Sequence, residues 1–166
     1  MVGVLSKLLG RVKANDIFRI GPFNRFEKSR REELSSFNSV SIDVLVEEVT
    51  SCLNKEIQNS EFYIALVFEE HENCLSDEEV SFVNDCGINT DEAIGAVDFY
   101  DEDDELYCFV RAYECSAFEI KRVIKSKLAR HLEVEPYYMA ELFIIANDGS
   151  RVINLYDERG MDIVEL

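Results

Sequence analysis

The chain has 166 residues, of which 47% are hydrophobic, and 34 Asp and Glu against 17 Lys and Arg give a formal net charge of −17 at pH 7. This length and apolar content suit one domain with its own core and exclude disorder for most of the chain. The charge disfavours nucleic acid and anionic membranes, since each phosphate contact needs a Lys or Arg, and favours a cationic partner.

The charge is unevenly distributed along the chain. Residues 1–31 carry eight Lys and Arg against two acidic residues, whereas residues 56–110 carry 17 Asp and Glu and no Lys or Arg. A second basic cluster comprises Lys121, Arg122, Lys125, Lys127 and Arg130. Part of the acidic charge can therefore be balanced within the protein by the two basic segments.

The N-terminal residues show helical periodicity. Leu5, Leu8, Leu9 and Val12 predict an amphipathic helix over residues 3–14, which either packs on the domain or serves as a peripheral helix for a membrane surface or a partner. Residues 16–29 are predicted to be extended, with a bend at Gly21-Pro22.

The middle of the chain contains a helix and a buried strand. An apolar face predicts a helix over residues 39–57, with Asn38, Ser39 or Ser41 as N-cap; the face comprises Ile42, Leu45, Val46, Val49, Cys52 and Leu53. Residues 61–68 are apolar on both alternating sets, which is typical of a central strand. Ser76 and Glu79 form a capping box for a short helix that ends near Gly87.

The second half predicts more strands than helices. Residues 93–100 and 106–113 form a predicted hairpin, residues 117–132 a helix, and residues 138–146, 151–156 and 161–166 three strands joined by turns at 147–149 and 157–160. We therefore predict an α+β fold: a single domain over residues 1–166, with a largely antiparallel sheet of about five to seven strands and three or four helices mainly on one face.

The cysteines and the first residues indicate the compartment. Five Cys without a CxxC pair favour a reducing environment, and Cys52 and Cys108 lie on apolar faces. The first ten residues hold too short an apolar run for a secretory signal, and no segment approaches the roughly 18 apolar residues of a membrane span. We expect a cytoplasmic protein without a membrane span.

No enzyme motif stands out. An EF-hand fails because Leu106 stands where the loop needs Gly and Ala112 where it needs Glu. A zinc site has only His71, Cys74 and Cys86 to draw on, and neither His71 nor His131 lies in a nucleophile motif. We therefore expect no cofactor, no bound metal and no catalytic residues.

The stretch "DFYDEDDELY" at residues 98–107 crowds six carboxylates onto the predicted hairpin turn. It can present a negative surface to a basic partner, with Tyr100 and Tyr107 as aromatic anchors, or it can be a solvated loop that aids solubility. The candidate partner-binding residues are Glu69, Glu70, Glu72, Asp98, Tyr100, Asp101, Glu102, Asp103, Asp104, Glu105 and Tyr107.

Two segments resemble a known family. "VINLYDERGMDIV", residues 152–164, resembles the C-terminal signature of a bacterial family known as domain of unknown function 3885, matched at Tyr156, Asp157, Arg159, Gly160, Met161 and Asp162, with Glu158 in place of a second Asp. Arg25, Phe26 and Glu27 are similar to the end of that family's N-terminal strand. From the residues themselves, Gly160 suits a turn with positive φ, Asp157 can accept backbone N–H bonds, and Arg159 can reach a carboxylate such as Asp162 or one on a neighbouring strand.

The resemblance implies no activity, but it implies a small cytoplasmic protein encoded beside secreted polymorphic toxins. The first hypothesis is therefore an immunity protein that neutralises a contact-dependent toxin, such as a basic RNase, by occluding its active site with an acidic surface. The alternatives are an acidic regulatory or scaffold module that docks through its basic N-terminal helix, and an enzyme with a carboxylate or metal site. The sequence leaves the oligomeric state open.

Overall fold

The computed structural model describes residues 4–11, 13–18, 26–35, 39–57, 61–69, 76–101, 106–132 and 140–166. Within these residues, seven strands form one sheet in the order β1-β7-β6-β5-β2-β4-β3, and every neighbouring pair is antiparallel. The strands are β1 (Ser29–Glu33), β2 (Glu61–Glu69), β3 (Ala93–Asp101), β4 (Leu106–Ser116), β5 (Glu141–Ala146), β6 (Arg151–Asp157) and β7 (Gly160–Glu165).

Helices cover both faces of this sheet. They are α1 (Val4–Leu9), α2 (Ala14–Ile17), α3 (Ile42–Glu56), α4 (Asp77–Asp85) and α5 (Glu119–His131), with a 3-10 turn at Thr90–Glu92 before β3. The predicted α+β fold with an antiparallel sheet is confirmed. The three longer helices share one face, and the two short N-terminal helices lie on the other.

Strand β2 shows how one sheet supports two cores. Ile64 and Leu66 pack into the core beneath α3, α4 and α5, whereas Ala65 and Val67 pack into the core beneath α1 and α2. Successive side chains of a strand point to opposite faces, so a strand covered on both sides must be apolar throughout. This confirms the prediction of a central strand over residues 61–68.

Helix α3 is the principal helix of the larger core. Leu45, Val49 and Leu53 are fully buried, as the helical spacing predicts. Ser41 occupies the N-cap position, but its side chain makes no capping hydrogen bond. Surface ion pairs connect α3 to α5, with Lys121 Nζ 2.6 Å from a Glu47 carboxylate oxygen and Lys125 Nζ 2.8 Å from Asp43.

The N-terminal predictions need correction. The first helix ends at Leu9 rather than continuing to residue 14, and its apolar side, including Leu8, is buried against the sheet. The start of the segment predicted to be extended is instead the short helix α2, followed by Phe18, whose ring meets Phe143 edge to face at 5.4 Å. Burial of Ile17 and Phe18 on the sheet outweighs the weak local preference for an extended chain.

The predicted turns are present. Gly149 adopts φ +70 and closes the β5–β6 turn, with its N–H donating to the Ala146 carbonyl at 2.8 Å. Gly87 adopts φ +84 just after α4. Both positions favour glycine because a Cβ is disfavoured at positive φ.

Candidate functional site

The acidic stretch predicted to bind a partner lies at the β3–β4 hairpin. The two strands pair with Tyr100 opposite Tyr107 and Asp101 opposite Leu106, which confirms the predicted hairpin. Asp98 lies two positions before Tyr100 on β3, opposite Phe109 of β4. The structure describes these residues at the level of the backbone and register.

The end of β2 lies beside this hairpin. Glu69 is opposite Cys108 on β4, and Cys108 is opposite Phe99 on β3, so Glu69 occupies the row next to the Tyr100–Tyr107 pair. Three neighbouring strands therefore bring part of the predicted set to one end of the sheet. The remaining members, Glu70, Glu72, Glu102, Asp103, Asp104 and Glu105, lie outside the described residues.

The C-terminal turn is fixed by a local ion pair. The Asp157 carboxylate accepts a hydrogen bond from the Arg159 backbone N–H at 2.8 Å and from Arg159 Nε at 2.7 Å. The prediction that Asp157 accepts a backbone N–H is therefore confirmed. The predicted contact of Arg159 with Asp162 is wrong: Arg159 binds Asp157 at the end of β6, two residues earlier, and Asp162 is paired with Arg31 instead. Glu158 lies between Asp157 and Arg159 in the turn.

Gly160 is required for a different reason from the one predicted. The residue does not adopt positive φ; the glycines that do so in the described part of the chain are Gly87 and Gly149. A Cβ at Gly160 would lie 2.5 Å from the backbone oxygen of Glu32 on β1 and 2.6 Å from the Tyr156 hydroxyl. Glycine is therefore needed because strand β1 and the Tyr156 side chain approach so closely.

Asp162 forms a cross-strand ion pair that the sequence did not predict. It is fully buried, and its two carboxylate oxygens accept hydrogen bonds from Arg31 Nε at 2.8 Å and from a terminal Arg31 nitrogen at 3.2 Å. The Arg31 guanidinium also lies over the Tyr156 ring, 4.8 Å from its centroid. A bidentate pair of this kind holds β1 in register with β7, since a shift of one residue would separate the charges.

A second ion pair, which is buried, holds α4 to the sheet. Glu79 and Tyr113 are fully buried and Arg111 is nearly so. The Glu79 carboxylate accepts hydrogen bonds from Arg111 and from the Tyr113 hydroxyl, the latter at 2.6 Å. Burial is the main reason that the pKa of Tyr113 is raised, and the hydrogen bond to Glu79 is the second reason. The Ser76 side chain accepts a hydrogen bond from the Glu79 N–H at 3.1 Å, which confirms one half of the predicted capping box; the Glu79 carboxylate, which would form the other half, binds Arg111 and Tyr113.

Lys127 is a buried cation on the inner side of α5. Its ammonium group donates to the Ala140 carbonyl at 3.1 Å and to the Glu141 carboxylate at 3.0 Å. Burial lowers the pKa of Lys127, and the Glu141 carboxylate partly opposes this effect. The sequence analysis grouped Lys127 with the other residues of the basic cluster. In the structure its side chain is buried and binds the beginning of β5.

A groove of about 790 Å³ lies between α3 and the edge strand β1. Six carboxylates and one Lys, Lys55, line it. The carboxylates are Glu32, Glu33, Asp43, Glu47, Glu48 and Glu56.

Two polar ties join the walls of the groove. Glu48 on α3 accepts hydrogen bonds from the Ser35 backbone N–H at 2.9 Å and from the Ser35 hydroxyl at 2.5 Å. At the C-terminal end of α3, Glu56 forms an ion pair with Arg30 of β1. These two contacts fix the distance between α3 and the β1 segment. Cys52 lies on α3 between Glu48 and Glu56.

Comparison with family models gives one match. The model described as "Domain of unknown function (DUF3885)" matches residues 15–165, nearly the whole chain. The chain belongs to this family. No curated protein and no solved structure matches it.

The DUF3885 chain keeps free thiols in its core. Cys86 and Cys115 are buried and Cys52 is half-buried, and all three are free. Burial raises the pKa of the Cys86 thiol to about 11 and also raises that of Cys115. These thiols are protonated at neutral pH and act as small apolar side chains.

Neither metal ligation nor membrane insertion is evident in the described part of the DUF3885 chain. No cluster of three His, Cys, Asp or Glu side chains there is arranged to hold a metal ion. None of the helices in those residues combines the length and the apolar character needed to cross a bilayer.

The described part of the DUF3885 fold brings acidic residues to both edges of its sheet. The β3–β4 hairpin, at one edge, carries the acidic stretch, and the groove beside β1 lies at the other. Carboxylates form charge-assisted hydrogen bonds with Lys or Arg side chains, and four of those in the groove already pair with cations of this chain: Glu32 and Glu56 with Arg30, Glu47 with Lys121 and Asp43 with Lys125. The groove was missed from sequence because its residues come from segments about ten positions apart, and their only shared signal is a high density of Glu around residues 32–56.

Proposed function

We propose that this DUF3885 protein is an immunity-type binding protein. It neutralises a basic bacterial toxin domain, of which a nuclease such as an RNase is the best-fitting class, by covering the active site with an acidic surface. The observation that carries the proposal is the charge distribution, with 17 carboxylates and no Lys or Arg over residues 56–110, a span that includes β3 and the beginning of β4.

The proposal follows from what a nuclease needs. An enzyme that holds phosphate groups must present Lys and Arg, and its active site is therefore the most positive part of its surface. Carboxylates can occupy the positions of the phosphates, accept charge-assisted hydrogen bonds from the same side chains, and speed the encounter by electrostatic steering.

Aromatic side chains are the expected anchors. Tyr100 and Tyr107 are directly opposite each other across the hairpin, and the carboxylates flank them in sequence. Interfaces of this kind derive most of their binding energy from a few aromatic and Arg side chains at the centre, surrounded by polar contacts that exclude water. We place the centre of the toxin interface at this pair.

The experiment measures binding to the basic C-terminal domain of a toxin encoded beside this gene. Replacing Asp101, Asp103 and Asp104 together by Lys is expected to weaken the affinity by about 100-fold or more, with most of the salt dependence of association lost. Single replacements by Ala should weaken it by less than about tenfold, because neighbouring carboxylates compensate.

A matched control reverses three exposed acids elsewhere: Asp77, Asp91 and Glu114. The net charge changes equally, so a similar loss of affinity in the control would indicate non-specific attraction and contradict the acidic-hairpin interface. Co-expression supplies the functional readout. Cells that produce the toxin domain should grow with the wild-type protein and fail to grow with the hairpin variant, whereas failure of the wild-type to bind or protect would overturn the immunity proposal.

A further inference from the structure

The two edge strands of the sheet differ in how well they suit the addition of a further strand. Strand β1 has five residues, "SRREE", and all of them are polar or charged. Short, charged edge strands resist pairing with another chain. Strand β3 has nine residues, of which Asp98 and Asp101 are charged, and its register with β4 is unbroken from Ala96 to Asp101. By length and regularity, β3 is therefore the edge that suits strand addition.

The direction of the backbone hydrogen bonds can be read at β7. In an antiparallel sheet, successive residues of a strand direct their N–H and C=O groups alternately to one neighbouring strand and to the other. The Glu165 N–H donates to the Lys28 carbonyl, next to β1, and the Leu166 N–H donates to the Ser150 carbonyl, next to β6. Odd-numbered residues of β7 therefore bond to β1, and even-numbered residues bond to β6.

The same alternation, followed from strand to strand, shows which way each residue of β3 points its backbone groups. The registers that connect β7 to β6, β5, β2, β4 and finally β3 carry it across the sheet. Val97 and Phe99 direct their backbone groups to β4. Ala96, Asp98 and Tyr100 direct theirs to the opposite side, on which no strand of the described chain pairs with β3. The N–H and C=O groups of these three residues can therefore form a ladder with another strand.

The charge at this edge favours a cationic strand. Asp98 and Asp101 lie on β3, and no Lys or Arg occurs in residues 56–110. Lys7 and Arg11 of the basic N-terminal segment lie beside Gly149 in the β5–β6 turn. The strand registers place that turn at the end of the sheet where β3 begins, whereas Asp98 and Asp101 lie toward the other end. These N-terminal cations therefore lie away from the acidic end of β3.

A second copy of this chain is a poorer occupant of the edge. Each copy carries a net charge of −17, and antiparallel pairing of two β3 strands would bring two acidic segments into one interface. Arg111, the first cation along β4, is buried and bound to Glu79. Like charges across paired strands cost free energy, whereas a strand that carries Lys or Arg is attracted by the same acids. The charge thus discriminates between the two occupants.

We propose that the open side of β3 pairs with an extended, Lys- or Arg-bearing strand of the partner protein, which lengthens the sheet by one strand. The backbone groups of Ala96, Asp98 and Tyr100 form the ladder, and the acids of the β3–β4 hairpin select a basic sequence. Strand addition of this kind derives its affinity from main-chain hydrogen bonds and its specificity from side chains. The strand belongs to the toxin domain of the proposed function, on which this assignment of the partner rests.

Amide hydrogen exchange measured by NMR tests the ladder without any substitution. In the free protein the N–H groups of Ala96, Asp98 and Tyr100 are expected to exchange quickly, and those of Val97 and Phe99 slowly, because only the latter two are bonded to β4. The toxin domain at saturation should slow exchange at the first three by about tenfold or more.

Three results of the exchange measurement would overturn the proposal. Slow exchange at Ala96, Asp98 and Tyr100 in the free protein would mean that the chain itself covers this edge. Unchanged exchange at these residues in the toxin complex would mean that the toxin does not pair with β3. Protection that rises with protein concentration in the absence of toxin would mean that a second copy occupies the edge.

A proline substitution tests the backbone contribution to toxin affinity. Asp98→Pro removes the carboxylate and the outward N–H, whereas Asp98→Ala removes the carboxylate alone. Proline is tolerated in an edge strand where the N–H faces solvent, and melting curves from circular dichroism check that both variants are folded. Asp98→Pro should bind the toxin domain about tenfold or more weakly than Asp98→Ala, because the ring blocks the ladder.

Glu33→Pro is the matched control on the other edge strand. The Leu34 N–H donates to the Arg159 carbonyl, so Glu33, one residue earlier, directs its backbone groups away from β7. This control also removes one carboxylate and one outward N–H, and its toxin affinity should equal that of the wild-type protein. Equal affinities of Asp98→Pro and Asp98→Ala, or an equal loss in Glu33→Pro, would contradict pairing at β3.

The same binding measurements separate this inference from the proposed function. If the toxin domain binds the wild-type protein, but Asp98→Pro binds as well as Asp98→Ala and the three amides stay unprotected, the strand pairing fails and the immunity proposal remains. If the toxin domain does not bind the wild-type protein at all, the immunity proposal fails, and the assignment of the added strand to a toxin fails with it.

Discussion

Gly160 is the most tightly constrained backbone position of the C-terminal turn. Gly→Ala usually stabilises a protein slightly where φ is negative, because it restricts the unfolded chain. Here the added methyl group would collide with the Glu32 backbone oxygen at 2.5 Å. Backbone atoms of β1 can move away only by loosening its pairing with β7.

We therefore expect Gly160→Ala to reduce the free energy of unfolding by about 2–3 kcal/mol, a typical cost of overpacking. Urea denaturation monitored by circular dichroism measures it. Tyr156→Phe combined with Gly160→Ala should recover part of the loss, because it removes the hydroxyl 2.6 Å from the new methyl group but leaves the Glu32 contact. A stability equal to wild-type for Gly160→Ala would contradict the steric explanation.

Helix α4 depends on the buried Glu79–Arg111 pair for its position on the sheet. Replacing one member of a buried ion pair leaves the other charge in an apolar environment, so Glu79→Gln is expected to cost about 3–5 kcal/mol of stability. The double variant Glu79→Leu/Arg111→Leu removes both charges and should cost clearly less than the sum of the two single Leu replacements. Urea denaturation of the four proteins gives the coupling energy, and additive losses would show that the pair is not coupled.

Tyr113 supplies the matched comparison for this pair. Tyr113→Phe removes a neutral donor from Glu79 and is expected to cost about 1–2 kcal/mol. Amide hydrogen exchange should accelerate in α4 for both Glu79→Gln and Tyr113→Phe before it accelerates in β2. If exchange changed equally throughout the sheet, the pair would stabilise the whole domain rather than the helix.

Elements with their own apolar pattern could be predicted from sequence, and elements defined by their partners could not. The helical spacing of Leu45, Val49 and Leu53 predicts α3, and the continuous apolar run predicts β2. Strand β1, "SRREE", has no apolar residue, so its strand character comes from pairing with β7 and from the Arg31–Asp162 ion pair. The same long-range pairing determines the groove, because β1, one of its walls, is held in place by β7.

The resemblance at residues 152–164 indicated where the chain has special local requirements, but not what they are. The physical role of Gly160 needed the position of β1, more than a hundred residues earlier in the sequence. Likewise, the buried position of Lys127 could not be separated from the exposed basic residues of α5, because all five share one charged run.

The acidic excess acts on the molecule as a whole. A net charge of −17 on a chain of 166 residues makes the compact state repel itself. The surface ion pairs between α3 and α5 offset little of this repulsion, since exposed pairs contribute only tenths of a kcal/mol. Screening should therefore favour the folded state.

We expect the melting temperature at pH 7 to rise by about 3–6 °C between low and physiological salt, corresponding to roughly 1–2 kcal/mol. Differential scanning calorimetry over a series of NaCl concentrations measures this. The dependence should vanish near pH 4.4, the isoelectric point calculated from the sequence, where the net charge is close to zero. A melting temperature that falls with added salt would mean that ion pairs outweigh the repulsion.

The pairing of β1 with β7 also determines when the chain can complete its sheet. During synthesis β1 emerges first among the strands, and its partner in the sheet is the last of the seven to be made. One wall of the groove therefore cannot take its final place until the ribosome has made β7. A chain whose translation stalls before that strand has neither the complete sheet nor the finished groove.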